Sequence, residues 1–227
     1  IMNIPNESDI LIIAPHPDDE ILGLGGTISK LSSQGHKVTV LTVSGHLPPL
    51  YKKEVFEEHK RQTIEAHKII GAHKSIFLEI PATFVKDQPV AELNGKIYEV
   101  LKNTQPKIVF LPFPDRHIDH KVIFASSMVV IRPLHDSKCI ELSASYEVLS
   151  ETHWNAPAIE PVFNPNITVD ITDHMETKLS ALSCFKGEIM PFPGPRSIEA
   201  VEALAKFRGT QAGFAYGESL QLIRMRF

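Results

Sequence analysis

Two short segments, about a hundred residues apart, contain the side chains best suited to chemistry. The first reads PHPDDE and supplies one imidazole, His16, followed by three consecutive carboxylates, Asp18, Asp19 and Glu20. Carboxylates this close repel one another, and burying them is costly unless a cation compensates their charge. Histidine and carboxylate are zinc-compatible ligands, and three of them with an open fourth position form a catalytic zinc site. This segment therefore predicts one part of a divalent metal site.

The second segment reads PFPDRHIDH and contains His117, Asp119 and His120. Each segment follows an apolar stretch typical of a buried strand, at residues 9–14 and 107–111. In open α/β sheets, ligands bind at the carboxyl ends of the strands. Because neither segment alone would complete a site, we expect the two strand ends to converge on one metal ion.

Together the segments resemble the two motifs of the LmbE-like (PIG-L) family of zinc-dependent N-deacetylases, AHPDDE and HxDH. The first motif matches from His16 to Glu20, with Pro15 as a small departure, and the second matches residues 117–120. Three later segments are also similar to bacterial members of the family, at residues 145–154, 195–197 and 208–224. The resemblance therefore extends over nearly the whole chain.

The resemblance implies a hydrolase that removes the acetyl group from an N-acetylated sugar. The substrate class would be an N-acetylglucosamine-like sugar or its conjugate, and the products a free amine and acetate. It implies that His16, Asp19 and His120 hold Zn²⁺, with other divalent transition metals also possible. A protein-held zinc ion lowers the pKa of its water to about 7 and polarises a carbonyl group, and amide hydrolysis needs both effects.

The resemblance also implies three catalytic residues. Asp18 would be the general base for the attacking water. His117 would stabilise the oxyanion or protonate the leaving amine, and Asp119 would orient His117. An imidazole hydrogen-bonded to a carboxylate keeps its proton to higher pH, as an acid must. General acid–base assistance of this kind is typically worth about 10²–10⁴-fold.

Three further residues are candidates for substrate binding: Arg116, His46 and Arg196. Arg196 lies in a proline-rich loop and could bind a phosphate or carboxylate of the substrate. A solvated loop histidine is an equally good interpretation of His46, and Arg116 could instead pair with Asp115. For Glu20 we favour a structural role as a helix cap over support of the metal site. The remaining histidines are interpreted as surface or core residues: His36, His59, His67, His73, His135, His153 and His174.

The elements that must position these residues alternate between strands and helices. The first half predicts strands at 9–14, 36–43, 75–80 and 107–111, and helices at 21–34, 55–70 and 96–103. The second half predicts strands at 139–148 and 166–171, a last short strand or tail at 216–225, and helices at 175–185 and 197–208. Such alternation is typical of βαβ units. We expect residues 1–227 to form a single α/β domain, Rossmann-like and three-layered, with a mostly parallel β-sheet and the active site at the carboxyl ends of its strands.

Composition restricts the class of partner. Lys plus Arg is 23 and Asp plus Glu is 27, which gives a formal charge of −4 and no electrostatic case for binding nucleic acid. No apolar run is long enough for a membrane span, and residues 1–5 do not resemble a signal peptide. The two cysteines fit a reducing compartment. We expect a cytoplasmic protein whose partner is a small-molecule N-acetyl sugar, with a homo-oligomer left open.

Three rival functions were considered. The nearest is an amidase of the same family that cleaves a different amide, such as a thiol conjugate. A non-catalytic carbohydrate-binding or regulatory domain would be expected to lose the base or a ligand, and all of them are present. A nucleotide-binding Rossmann domain would need GxGxxG, whereas Gly23, Gly25 and Gly26 follow an acidic motif that would repel a pyrophosphate. We interpret these glycines as close packing of the first helix.

Overall fold

A computed structural model describes residues 8–156 and 158–226, and its central feature is a seven-stranded sheet. The strands are β1 (Asp9–Ala14), β2 (Lys37–Gly45), β3 (Lys74–Pro81), β4 (Ile108–Pro112), β5 (Leu142–Tyr146), β6 (Ile167–Asp170) and β7 (Gly217–Met225). Their order is β3-β2-β1-β4-β5-β7-β6, and only β7 runs antiparallel to its neighbours in this sheet. The predicted mostly parallel α/β fold is confirmed. Residues 1–5, on which the absence of a signal peptide was predicted, lie outside the described residues.

Helices cover both faces of the sheet. They are α1 (Asp19–Ser33), α2 (Lys53–Ile69), α3 (Val90–Thr104), α4 (Ile118–Val130), α5 (Met175–Leu182) and α6 (Ile198–Thr210). Along β1 the side chains alternate between two apolar clusters, with Ile12 facing α1, α2, α5 and α6, and Ile13 facing α3 and α4. This gives the predicted three layers. Across the described residues, every helix falls short of the length and apolar character that crossing a membrane requires.

The order of the strands places the two motifs side by side. From β1 the chain builds β2 and β3 on one side, then returns and adds β4 on the other side of β1. Strands β1 and β4 are parallel neighbours, with Ile12 opposite Phe110. Each motif begins just beyond the carboxyl end of its strand. This is the reversal of strand order at which open α/β sheets bind ligands.

Two parts of the chain differ from the predicted elements. Helix α4 was not predicted, whereas residues 96–103 do fall in a helix, α3, which extends from Val90 to Thr104. Cys139 was placed in a strand, but it ends a 3₁₀ turn, and β5 begins only at Leu142. The end of the chain, left open as strand or tail, is the nine-residue strand β7.

The glycines of α1 permit the close packing that was predicted. A Cβ atom on Gly26 would lie 2.7 Å from the side chain of Ile171, which is too close for real atoms. A buried ion pair, Lys178 with Glu218 at 2.6 Å, contacts the backbone of α1 in the same stretch. Lys178 donates to the carbonyl oxygen of Leu22 at 2.7 Å, and Glu218 accepts the N–H of Gly26 at 3.0 Å. Side chains at these positions would exclude that contact.

Candidate metal centre and pocket

The turn after β1 is fixed by the neighbouring strand β2. Ser44 donates both its backbone N–H (2.9 Å) and its hydroxyl (3.0 Å) to the carbonyl oxygen of Pro15. Asp18, the N-cap of α1, has a φ of 97°, in the left-handed region that favours glycine. Such strain in a non-glycine residue persists only where the surrounding structure imposes it, and it is concentrated at functional sites. The result is that the carboxylates of Asp18 and Asp19 are both buried against one pocket.

The turn after β4 is fixed by hydrogen bonds from its own side chains. Phe113 donates its N–H to the carbonyl oxygen of Tyr146 at 2.9 Å, which anchors the turn to β5. Asp115 accepts the N–H of His117 at 3.0 Å. The Nδ1 atom of His117 in turn accepts the backbone N–H of Asp119 at 3.1 Å, so that this imidazole caps α4. The ring of His117 lines the same pocket.

The three predicted metal ligands meet between these turns. One carboxylate oxygen of Asp19, Oδ2, lies 3.1 Å from Nδ1 of His16 and 3.3 Å from Nε2 of His120. Tetrahedral zinc holds its ligands at about 2.0–2.2 Å, so two ligand atoms around it lie about 3.3–3.5 Å apart. The separation of Asp19 from His120 lies within this range, and its separation from His16 is slightly shorter.

Each of the two histidines predicted as metal ligands has a carboxylate on its other ring nitrogen. Asp119 Oδ2 lies 2.9 Å from Nε2 of His16, and Asp115 Oδ2 lies 3.0 Å from Nδ1 of His120. Metal-binding histidines commonly have such a partner, which fixes the tautomer and raises the basicity of the ligand nitrogen. Both carboxylates are fully buried.

Two expectations about these acids are corrected. Asp119 was expected to orient His117 with its carboxylate, but the carboxylate binds His16, and only its backbone N–H binds His117. A loop ion pair between Asp115 and Arg116 is also wrong. Asp115 serves His120, while Arg116 binds Glu151 at 2.8 Å.

The charges around the predicted ligands His16, Asp19 and His120, called the ligand trio below, favour a cation. Burial lowers the pKa of His16, but its bonds to Asp119 and Asp19 outweigh burial and raise that pKa to about 9. Burial likewise opposes protonation of His120, but Asp19 and Asp115 raise its pKa to about 10. Burial raises the pKa of Asp19, but His120 and His16 hold it well below its usual range. The carboxylates thus stabilise positive charge at the position where a metal ion would compete with these protons.

The other two predicted catalytic residues are shifted in the opposite sense. Burial raises the pKa of Asp18 well above its usual range, with Arg196 opposing the shift. Burial, His16 and His120 together lower the pKa of His117 to about 4. In the metal-free protein this shift is opposite to the expectation that His117 keeps its proton to higher pH. Its ring is neutral at pH 7, and because Nδ1 accepts a hydrogen bond, the ring proton is on Nε2.

A second way to hold a metal shares two of the same histidines. Ring nitrogens of His16, His117 and His120 all lie within 4.8 Å of one another. The ring centroid of His117 is 4.6 Å from that of His16 and 5.1 Å from that of His120. Asp19 Oδ2 lies within 3.3 Å of a ring nitrogen of both His16 and His120, so its carboxylate is a candidate ligand beside these three histidines.

The three candidate substrate-binding residues have different positions. Arg196 lines the pocket, where its Nη1 atom lies 3.3 Å from Asp18 Oδ2 and 2.5 Å from Glu188 Oε2. His46 also lines the pocket. Arg116 is half-exposed and is linked to the pocket through its ion pair with Glu151, which lines the pocket. The pocket has a volume of about 120 Å³. This exceeds the roughly 10–15 Å³ that one water needs, so it can admit a ligand group.

Sequence reasoning missed several residues of the site region. His59 was taken as a surface or core residue but lines the pocket, as does Glu188, which was not considered. Glu20 was expected to be a helix cap. Instead it is fully buried and bound to His67 at 2.9 Å. For Asp115 the sequence offered one signal, because it is an acidic residue just upstream of HIDH. His59, Glu188 and the contact between Glu20 and His67 depend on distant elements, and no sequence signal pointed to them.

Comparison with known proteins identifies the family. This chain belongs to the LmbE-like (PIG-L) family, because residues 11–131 match the family described as PIG-L, GlcNAc-PI de-N-acetylase. It is 28% identical over 233 residues to the diacetylchitobiose deacetylase of Thermococcus kodakarensis, an alignment that covers 94% of this chain and 82% of that protein. It is 26% identical over 193 residues to the probable N-acetyl-alpha-D-glucosaminyl L-malate deacetylase 2 of Bacillus cereus, which covers 77% of this chain and 82% of that protein.

A solved structure gives the same result at the level of the fold. The N,N'-diacetylchitobiose deacetylase from Pyrococcus horikoshii, complexed with its inhibitor MPG, aligns with a TM-score of 0.77 and 25% identity. The alignment covers 98% of this chain and 86% of that one. The relatives named here are deacetylases, which are hydrolases, and this supports an enzyme that deacetylates a sugar.

Proposed function

We propose that this protein is a zinc-dependent N-deacetylase that hydrolyses the acetamido group of an N-acetylated sugar to a free amine and acetate. One observation carries the proposal. The buried carboxylate of Asp19 lies 3.1 Å and 3.3 Å from ring nitrogens of His16 and His120, beside a pocket at the carboxyl ends of β1 and β4. These residues come from two motifs far apart in the chain, and a shared cation explains why they meet.

The proposed metal ligands are His16, Asp19 and His120. The buried Nε2 atom of His120 makes no hydrogen bond of good geometry in the described part of the chain, and Asp19 Oδ2 lies 3.3 Å from it. Coordination of a metal ion would give this nitrogen a well-directed partner. When bound, zinc would polarise the acetamide carbonyl and acidify a water; other divalent transition metals with the same ligand preferences could do so too.

Asp18 is the proposed general base. Its side chain is buried beside the ligand trio and lines the pocket, and its Oδ2 atom has no hydrogen-bond partner among the described residues. A base works best when its pKa lies near the working pH, and burial shifts Asp18 in that direction. The guanidinium of Arg196, 3.3 Å away, opposes this shift and favours the ionised carboxylate.

His117 is the proposed stabiliser of the oxyanion. Because its ring is neutral and Nδ1 is occupied by the N–H of Asp119, the Nε2–H group can donate a hydrogen bond into the pocket. A fixed donor aimed at developing negative charge typically contributes about 10²–10³ in kcat. This favours the oxyanion role over delivery of a proton by an imidazolium.

The substrate class is proposed from the relatives. Two of them are named as deacetylases of diacetylchitobiose and of an N-acetylglucosaminyl malate, which share an N-acetylglucosamine unit. In this chain Arg196 and His46 line the pocket beside the trio and are the proposed contacts to the sugar, with Arg116 at the rim. A small-molecule substrate also fits a formal charge of −4. Two free thiols, Cys139 and Cys184, support a cytoplasmic location.

The test is a screen for acetate release over a panel of N-acetyl sugars and their conjugates. Each assay is run on metal-free protein, with one equivalent of zinc, and with a chelator. We expect acetate from at least one N-acetylglucosamine derivative, only when zinc is present. Release of a larger acid from a thiol conjugate would favour the rival amidase. Sugar binding without turnover in the zinc-loaded protein would favour a carbohydrate-binding domain.

A further inference from the structure

A second group of metal-binding side chains lies in the same pocket but outside the ligand trio. It consists of His46, His59 and Glu188, each of which offers one ligand atom within 4.8 Å of the others. The Nδ1 atoms of His46 and His59 lie 3.2 Å apart, and Nε2 of His59 lies 3.7 Å from Oε1 of Glu188. We call these three residues the rim group.

Three separate elements bring the rim group together. His46 directly follows β2, His59 is in α2, and Glu188 lies in the segment between α5 and α6. All three are half-buried and line the pocket. Burial and the neighbouring His59 lower the pKa of His46, so its nitrogens carry no charge that would repel a cation at neutral pH. Two imidazoles and one carboxylate are also the ligand set of several zinc enzymes.

We propose that the rim group is a second, weaker site for a divalent transition metal, which zinc occupies once the ligand trio is saturated. It is weaker for two reasons. His59 faces His46 with Nδ1 and Glu188 with Nε2, so its ring must turn before one nitrogen can share an ion with both. Glu188 also shares its charge with Arg196, whose Nη1 atom lies 2.5 Å from Oε2, and this weakens it as a ligand.

Occupation of the rim group is expected to inhibit the enzyme, and this consequence rests on the proposed function. Nη1 of Arg196 lies between Glu188 and Asp18, at 2.5 Å and 3.3 Å. A cation that draws Glu188 toward His59 leaves Arg196 to pair with Asp18, the proposed base. The ion pair then holds the carboxylate on Arg196 instead of leaving it to the attacking water. The ion would also occupy space in the pocket that a substrate needs.

Metal binding is tested first, without any assay of activity. Metal-free protein is titrated with Zn²⁺ by calorimetry, and with Co²⁺ by absorption spectroscopy. We expect two equivalents, one tight and one weak. His59→Gln should lose only the weak equivalent, and His120→Ala only the tight one. His73→Gln, at an exposed histidine before β3, is the matched control and should keep both.

Two results would overturn the rim site. One is that the parent protein binds a single equivalent of metal throughout the titration, in which case the contact between His46 and His59 is only a hydrogen bond. The other is a weak equivalent that persists in His59→Gln. If that variant does not fold by circular dichroism, Glu188→Gln serves the same purpose.

Activity is measured second. Each protein's acetate release at one equivalent of zinc is compared with its own release in excess zinc. The parent should be inhibited by the excess, and His59→Gln should resist it. Equal inhibition of both would contradict the link through Arg196. If two equivalents bind but no condition releases acetate, the proposed function fails while the rim site stands.

Discussion

Asp18 combines features that are each unfavourable by themselves. Its backbone adopts a φ of 97°, its carboxylate is buried, and Asp19 and Glu20 place further negative charge beside it. A left-handed conformation costs a non-glycine residue about 1–3 kcal/mol. Such a residue is expected where function, rather than stability, determines the side chain. The value of Asp18 should therefore appear in catalysis.

Asp18→Asn should retain zinc and lose turnover by about 10²–10⁴-fold or more, because the amide has the same shape but cannot accept the proton. The measurements are kcat for acetate release and the zinc content of the purified protein. A variant with bound zinc and the parent rate would remove Asp18 from the role of base.

His117→Gln should retain more activity than His117→Ala, because glutamine can still donate an N–H into the pocket. Loss of a donor to an oxyanion typically lowers kcat by about 10²–10³-fold, and this is expected for the alanine variant. The pH profile of kcat provides the check. Because the ring is neutral, the pH profile of the parent near pH 6.5 should contain no inflection caused by His117. An inflection there that is present in the parent and absent in His117→Gln would support the acid role instead.

At the scale of elements, the two ligand turns are built alike. Each begins at the carboxyl end of a central strand and ends at the N-terminus of a helix, α1 or α4. The turn after β4 also supplies the carboxylates that support both ligand histidines. Asp115 holds His120 within its own turn, and Asp119 reaches across to His16 on the other. The geometry of either ligand therefore depends on the second turn.

Asp115→Asn should lower zinc affinity by about 10–100-fold, the usual cost of losing the carboxylate behind a ligand histidine. Competition with a chromogenic chelator measures the affinity. Asp173→Asn, at an exposed acid, is the control and should bind like the parent. Equal affinities in Asp115→Asn and the parent would mean that its bond to His120 does not support the metal.

The buried pair behind α1 gives a prediction about stability. Lys178→Met should destabilise the protein by about 3–5 kcal/mol because it leaves the carboxylate of Glu218 buried without its cation. Adding Glu218→Gln should recover part of that loss, since a neutral amide needs no counter-charge. Urea denaturation of the single and double variants measures both. A double variant as unstable as the sum of its parts would show that the two residues act independently.

The sequence predicted those elements whose apolar pattern was unambiguous. The run from Asp9 to Ala14 is β-branched and ends at a proline, and the strand has those bounds. Helix α4 was missed because Val122, Ile123 and Val130 also favour strands, so its pattern does not separate the two. The first turns of α3 contain Gly95, which weakens the helical signal before residue 96.

The candidate site could be predicted as far as its motifs extend. The adjacency of HPDDE and HIDH followed from strand ends in a parallel sheet. The partner of the Asp119 carboxylate could not be predicted, because the choice between His16 and His117 depends on distances across two turns. His59 and Glu188 lie on elements whose local sequence is typical of a surface, so only the tertiary fold brings them to the pocket.

At the scale of the whole molecule, the interior at the ligand trio is stable only with positive charge in it. In metal-free protein, protons on His16 and His120 provide that charge. That residues 1–227 form a single domain stays a prediction, supported by a sheet that joins strands from both halves of the chain.

The stability of the metal-free protein should fall as pH rises. The pKa values of His16 and His120, about 9 and about 10, lie above the ordinary value of about 6.5. Their contribution is therefore fully present below pH about 6.5 and is lost as pH rises through 9 to 10. Zinc replaces these protons, so its stabilising effect should grow over the same range.

Melting temperatures with zinc and with a chelator, compared at several pH values from about 6.5 upward, test this expectation. The difference should widen with pH in the parent and vanish in the double variant His16→Gln with His120→Gln. A difference that stays constant with pH would show that protons and metal do not compete at this position.

Strand β4 pairs with β1 in the sheet, although β2 and β3 lie between them in the sequence. A nascent polypeptide that stops short of the second turn holds His16 and Asp19 but has no His120 to close around an ion. Tight metal capture must then wait for the centre of the sheet to assemble. The appearance of bound cobalt colour during refolding would time that event, without a label and without substrate.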